Sequence, residues 1–160
     1  KREGAGNMEE EKVVERDVTQ YVVVRIGNEK FGVDIKHIDN IVRMQTITRV
    51  PKVQEYIKGV INLRGEVVPV MSIRIKMHLP EDEITKLSRI IILKLEQYGT
   101  IGILVDEVVE VVTIDNTLVE KVSYDVNDET EIFISGIGKN GNELISLLDF
   151  NLVMQEKENV

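Results

Sequence analysis

The chain has 160 residues and a formal net charge of −8, with 42% hydrophobic and 30% charged residues. That balance is globular, and an acidic chain without a basic block is a poor match for a nucleic-acid backbone. The absence of cysteine excludes disulfides, thiolate catalysis and Cys-based metal sites, while 24 Val and 20 Ile with no Trp favour strands over helices.

Residues 1–19 are expected to be a flexible, mixed-charge segment with Glu9, Glu10 and Glu11 in a row; residues 1–7 precede Met8 and read as an appended remnant. Tyr21 to Ile26 reads as a strand, Gly27-Asn28-Glu29 as a turn, and Lys30 to Ile35 as the returning strand. Ile35, Ile38 and Ile41 lie three apart, which predicts a short helix over 34–41 before an extended Val42–Met44. A loop over 46–56 contains Pro51. Ile57 to Leu63 and Val67 to Met71 form a hairpin around Arg64-Gly65-Glu66. Pro69 inside the second strand predicts an edge or a bulge. Ser72 is a cap for a short helix through Met77.

Residues 78–86 are polar and acidic and read as a linker. Arg89 to Leu95 and Thr100 to Val105 form the next hairpin, followed by an apolar-patterned stretch over 106–114. Residues 115–131 read as a long polar loop. Strands follow at 132–137 and 143–148 around Asn140-Gly141, a strong hairpin signal. Asp149 caps a terminal helix over 150–156, with residues 149–160 as helix and tail. No stretch reaches the roughly 18 apolar residues of a membrane helix, so the expectation is a soluble, cytoplasmic protein without direct membrane insertion.

The two halves repeat. Ile38, Ile41 and Val42 align with Val108, Val111 and Val112; Gly59-Val60-Ile61 parallels Gly136-Ile137-Gly138; Val67–Met71 parallels Leu144–Leu148. Each half reads strand, strand, third element, loop, strand, tight turn, strand: a small five-stranded barrel made twice. The expected domain spans 20–154, with one barrel at about 20–77, part of the chain crossing over, and the other at about 88–148. A barrel of about 65 residues is marginal alone. Packing two together buries the surplus apolar faces and leaves a crevice at the junction.

Residues suited to catalysis are sparse. His37 and His78 have no ligand or acid at metal-binding spacing and read as solvated or capping residues. No serine nucleophile motif or phosphate loop occurs. Asp106-Glu107 and Asp128-Glu129 are adjacent, would point to opposite faces of a strand, and read as solubilising charge. The sequence predicts no enzyme, no metal and no cofactor. The segment 57–70 is different. Gly59 removes a side chain where a strand should carry one, which suggests close approach by another backbone or a ligand. Gly65 supplies positive φ, and Arg64 is displayed at the tip. An ordinary hairpin with a surface arginine fits the same residues.

Gly59-Val60-Ile61-Asn62-Leu63-Arg64-Gly65-Glu66-Val67-Val68-Pro69-Val70 resembles the signature of the CheW family of chemotaxis coupling proteins. So do Phe31–Ile35, Arg49-Val50-Pro51, Gly102–Val108 and Ser135–Gly138. The resemblance runs from about Gln20 to Met154. It implies a mainly β fold of two packed SH3-like five-stranded barrels with short helices and a C-terminal helix. It implies a non-enzymatic adaptor that couples transmembrane chemoreceptors to the histidine kinase CheA, and a place at the inner face of the membrane in receptor arrays. Its partners would be the regulatory domain of CheA and the cytoplasmic hairpin tip of methyl-accepting chemoreceptors, which docks near the barrel junction.

The resemblance carries Ile38, Gly59, Asn62, Arg64 and Gly65 over as partner contacts. Val60 joins Ile38 in receiving an apolar stripe. Where some members have an acid pairing the arginine, this chain has Asn40, with Asp39 beside it. A second, kinase-facing contact is expected around Ser88 to Ile90, with Ser88 and Arg89 as its residues. A regulatory domain separated from a CheA kinase, or from a coupling–receiver fusion, shares these motifs. A small-molecule module with its ligand between the barrels is a further reading.

Overall fold

The computed structural model describes residues 17–122 and 133–155. In chain order the strands are β1 (Val18–Ile26), β2 (Glu29–Asp34), β3 (Ile38–Arg43), β4 (Ile57–Leu63), β5 (Glu66–Ser72) and β6 (Arg89–Leu95). They continue with β7 (Gly99–Val105), β8 (Glu107–Asp115), β9 (Glu120–Lys121), β10 (Ile134–Asn140) and β11 (Glu143–Leu148). Helix α1 (Ile73–Lys76) follows β5, and helix α2 (Phe150–Met154) follows β11. Ser72 caps α1 through Ile75 N, and Asp149 caps α2 through Asn151 N and Leu152 N, as their side-chain acceptors predict.

The strands form two sheets, ordered β8-β1-β2-β11-β10-β9 and β3-β6-β7-β5-β4. The fold is mainly β, with two packed subdomains. Their packing follows from period-2 alternation on strands that are apolar on both faces. On β1, Val22, Val24 and Ile26 enter one core while Tyr21 and Val23 enter another. On β6, Ile91, Leu93 and Leu95 join that first, shared core while Ile90 and Ile92 fill the second barrel. The shared core is therefore the interface between subdomains, and each barrel keeps a smaller core of its own. Full burial of one such aliphatic side chain contributes roughly 1.5–3 kcal/mol.

The subdomains are not the two halves of the sequence. The first barrel takes β1 and β2 from the first half and β8 to β11 from the second; the other takes β3, β4 and β5 with β6 and β7. The crossing over thus amounts to a complete exchange of the first hairpin between repeats. It places the 77–88 connection inside one sheet's sequence, between β5 and β6.

Three local expectations change. The segment 34–41 is not a helix: a 3-10 turn, Ile35–His37, leads directly into β3, where Ile38 pairs with Leu93 and Ile41 with Ile91. β-branched residues beside a ready partner strand outweigh the three-residue spacing. Residues 78–86 are not a free linker. Arg74 Nη1 donates to Pro80 O, Ser72 Oγ to Asp82, and Lys58 meets Glu81 at 3.5 Å. The 115–131 loop contains a 3-10 turn, Asn116–Leu118, and strand β9; its residues 123–131, with Asp128-Glu129, lie outside the described residues. Pro69 meets the second of its two expectations, a bulge and not an edge: β5 is an internal strand, and its pairing with β4 shifts register between Ile57 and Gly59, opposite Met71 and Val70. It pairs with Val60 and sits just before the first β7-paired residue, Val70, so its missing N–H falls outside the parallel ladder.

Candidate docking site

The hairpin of β4 and β5 is built as its sequence predicts. Leu63 pairs with Glu66 across a two-residue turn in which Arg64 and Gly65 have φ of 52° and 84°. Two successive positive φ values define the turn that matches strand twist. Asn62 Oδ1 accepts from Gly65 N at 2.9 Å and holds the turn closed. Asn62 is therefore committed to the turn, and Arg64 is what the turn displays.

Gly59 meets the first of its two expected neighbours, a backbone. Its φ is +147°, and a Cβ there would lie 2.2 Å from Thr48 O. The approaching backbone is the chain's own: Thr48 and Val60 exchange two hydrogen bonds of 2.8 Å, which close the barrel between the end of β3 and β4. Gly136 does the same in the other barrel, against Val119 and Glu120. Val60 is half-buried in this closure.

Barrel closure brings β3 beside the hairpin tip. With the Asn40 amide set so that both its atoms find partners, its oxygen accepts from Arg64 Nη2 at 3.1 Å and its nitrogen donates to Asp39 Oδ2 at 3.3 Å. Asp39 in turn meets Lys94 at 3.5 Å. Arg64 thus makes a hydrogen bond, not an ion pair, within this group. Ile38 packs on the edge of the shared core. Ile38, Asp39, Asn40 and Arg64 form one continuous surface.

Ser88 and Arg89 do not join it. β3 and β6 are antiparallel, with Ile38 opposite Leu93 and Arg43 opposite Arg89. Arg89 therefore lies four residues along β6 from the partner of Ile38, roughly 14 Å away at 3.4 Å per residue. Ser88 is 3% exposed, and its Oγ accepts from Thr85 N. Arg89 Nη1 donates to the carbonyls of Lys86 and Ser88. These two residues build the turn that exposes Leu87 instead of presenting their own polar groups.

The cluster that sequence reasoning missed centres on Asp106, at the crossing from β7 to β8. It is buried, not a solubilising charge. Its carboxylate accepts from Arg74 Nη2 at 2.6 Å, Arg74 Nε at 3.3 Å, Gly27 N at 2.9 Å and Arg25 Nη1 at 3.5 Å; Glu107 takes Arg25 Nε at 3.2 Å. Burial works to raise the Asp106 carboxyl, but the hydrogen bonds from Arg74 and Gly27, with the charges of Arg74 and Arg25, hold it below the ordinary range. This clasp ties α1 and the β1–β2 turn to the crossing strand. The only sequence signal was an acid at the end of an apolar strand, a pattern shared with many exposed acids.

An open groove of about 710 Å³ lies at the other junction between the barrels, floored by Leu95, Leu148 and Phe150 and rimmed by Lys36, Lys94 and Tyr98. His37 stands edge-on to Phe150, with ring centroids 6.0 Å apart. Burial, and then the Asp34 charge, push the Tyr21 phenol in this groove upward. Among the described residues no group of three or more His, Cys, Asp or Glu could hold a metal ion. No helix among them is long and apolar enough to cross a membrane.

A displayed arginine tip, a closed barrel beside it and a junction groove are the equipment of a two-barrel binding module. The CheW-like domain model matches residues 20–158, and the chain belongs to that family. It is 35% identical over 136 residues to the chemotaxis protein CheW of Bacillus subtilis (strain 168), covering 85% of this chain and 86% of that one. It is 29% identical over 156 residues to chemotaxis protein CheW of Helicobacter pylori, covering 98% and 92%. The crystal structure of scaffolding protein TtCheW from Thermoanaerobacter tengcongensis superposes with a TM-score of 0.78 at 30% identity, covering 86% of this chain and 93% of that chain.

Proposed function

We propose that this chain is a chemotaxis adaptor that couples membrane chemoreceptors to the histidine kinase CheA, held at the inner face of the membrane by those receptors. Family membership along most of the chain supports the class, and one observation carries the site. Barrel closure sets the Ile38–Asn40 strand against the Arg64 tip, making a continuous apolar and polar surface from segments distant in sequence. Ile38 would receive the apolar stripe of a receptor's helical hairpin, and Arg64 would donate to it as a planar fork. Gly59, Val60, Asn62 and Gly65 support this surface by shaping the hairpin. The kinase contact falls at the start of β6, carried by the exposed Leu87, with Ser88 and Arg89 as its internal support. Two separated surfaces suit a protein that holds two partners at once. Signal transfer requires that contacts differ between kinase-on and kinase-off arrangements. The separated kinase-domain alternative is not favoured, because the relatives matched along most of their own length bear the CheW name.

The test is co-sedimentation of the protein with a chemoreceptor cytoplasmic fragment on membranes and with CheA, read with the kinase phosphorylation rate. Recruitment and stimulation are expected, with Arg64→Ala lowering receptor-dependent stimulation several-fold while the thermal melt stays unchanged. Failure of the unsubstituted protein to bind either partner would overturn the coupling reading.

A further inference from the structure

Buried polar side chains are few and converge on one segment. Among the described residues they are Ser72, Ser88 and Asp106. Ser72 Oγ accepts from Ile75 N at 3.1 Å and donates to Asp82. Ser88 Oγ accepts from Thr85 N at 2.9 Å. Asp106 holds Arg74, whose Nη1 donates to Pro80 O at 3.2 Å. All three thus serve the connection from α1 to β6. A buried polar group is costly unless it is bonded, so such groups specify one conformation where apolar residues would tolerate several.

The connection is moored on both sides of an arch. Leu79 packs on the shared core, and its N–H donates to Arg74 O at 2.8 Å. Asp82 is half-buried and Ser88 buried, while residues 83–87 between them are exposed. The arch is also tied within itself: Leu87 N donates to Thr85 Oγ1 and Ser88 N to Thr85 O, each at 3.1 Å. Yet its two aliphatic side chains stay in solvent, Ile84 56% and Leu87 50% exposed.

We infer that Asp82 is a positioning residue for the kinase contact: its hydrogen bond with Ser72 locks the arch so that Ile84 joins Leu87 in meeting an apolar face of the kinase's regulatory domain. This rests on the coupling reading and adds how the contact is shaped. Ordering a short run of residues costs conformational entropy. In a locked arch that entropy is lost once, on folding, and not again on docking. Without the lock only a fraction of the molecules presents both side chains, and apparent affinity falls by that fraction. The charge of Asp82 is not required. Ser72 is the donor, so any side-chain oxygen that accepts its proton at that place serves.

The experiment measures association and dissociation rates of the CheA regulatory domain on the immobilised full chain by surface plasmon resonance. A chemoreceptor cytoplasmic fragment is the parallel analyte. Asp82→Ala is expected to slow association of the kinase domain about tenfold and leave its dissociation within about twofold, because the competent fraction falls while the docked contact is unchanged. Ile84→Ala and Leu87→Ala remove the contact itself and are expected to speed dissociation several-fold. Asp82→Asn keeps the acceptor and restores association. The receptor fragment binds every variant within about twofold of the unsubstituted protein. Unchanged rates for Asp82→Ala or for Ile84→Ala overturn the inference and leave the coupling reading standing. So does a loss with Asp82→Asn as large as with alanine, or an equal loss for the receptor fragment. If Asp82→Ala does not fold, amide hydrogen exchange in the unsubstituted protein decides. A locked arch protects the Leu87 and Ser88 N–H groups, and exchange there at the rate of an unfolded chain overturns the inference. No kinase-domain binding by the unsubstituted protein overturns the coupling reading, and this inference with it.

Discussion

Gly59 shows how a single missing side chain can serve the fold first and the site second. Its φ is +147°, and a Cβ added there would meet Thr48 O at 2.2 Å, which leaves no space for alanine. Gly59→Ala is expected to destabilise the protein by about 3 kcal/mol, since backbone strain and a steric clash with a carbonyl act together. Urea unfolding followed by circular dichroism measures this; a loss below about 1 kcal/mol would mean that the Thr48 bridge yields easily. Arg64 and Gly65 were legible from sequence because a tight turn constrains φ locally. The partner of Gly59 was not, because Thr48 approaches from across a barrel.

At the scale of elements, the Asp106 clasp fastens α1 and the β1–β2 turn to the start of β8. Its partners stand far apart in sequence, Arg25 and Arg74 among them, and no spacing rule connects them. Asp106→Asn removes the charge while keeping the shape, and is expected to cost about 3 kcal/mol by leaving the largely buried Arg74 guanidinium without its anion. The pH dependence has a definite sign. The folded carboxyl lies below its unfolded value of about 3.9, so the clasp stabilises fully above that pH and its contribution is lost as pH falls through the folded value. Melting temperatures between pH 7 and pH 2 should therefore drop less steeply for Asp106→Asn than for the unsubstituted protein. Parallel acid limbs would show that the carboxyl is not perturbed by folding. The segment 34–41 belongs to this scale too. Its isoleucine spacing is compatible with a helix, and only the presence of β6 alongside makes it a strand.

For the whole molecule, exchange of hairpins between repeats makes the barrels interdependent. A chain cut between Glu83 and Ile84 leaves β1 to β5 on one fragment and β6 to β11 on the other. Neither fragment contains a complete barrel. Each fragment alone is expected to lack dispersed amide resonances in proton–nitrogen NMR spectra, and an equimolar mixture should recover the spectrum of the intact protein. A fragment that folds alone would contradict this interdependence. The intact chain should unfold in one transition, because the shared core draws on strands of both sheets.

Most of the strands, the tight turns, both helix caps and the existence of two barrel-forming repeats were readable in the order of residues; β3, read in part as a helix, and the short β9 were not. Each of these depends on φ preference, capping chemistry or apolar alternation within a few residues. Which hairpin completes which barrel was settled only by the folded chain, since repeats with similar edges offer more than one pairing that satisfies the same alternation. The same holds for the burial of Asp106, for the approach of Gly59 to the chain's own backbone, and for the meeting of Arg64 with Asn40 while Ser88 turns inward. Those outcomes depend on which distant segments share a surface.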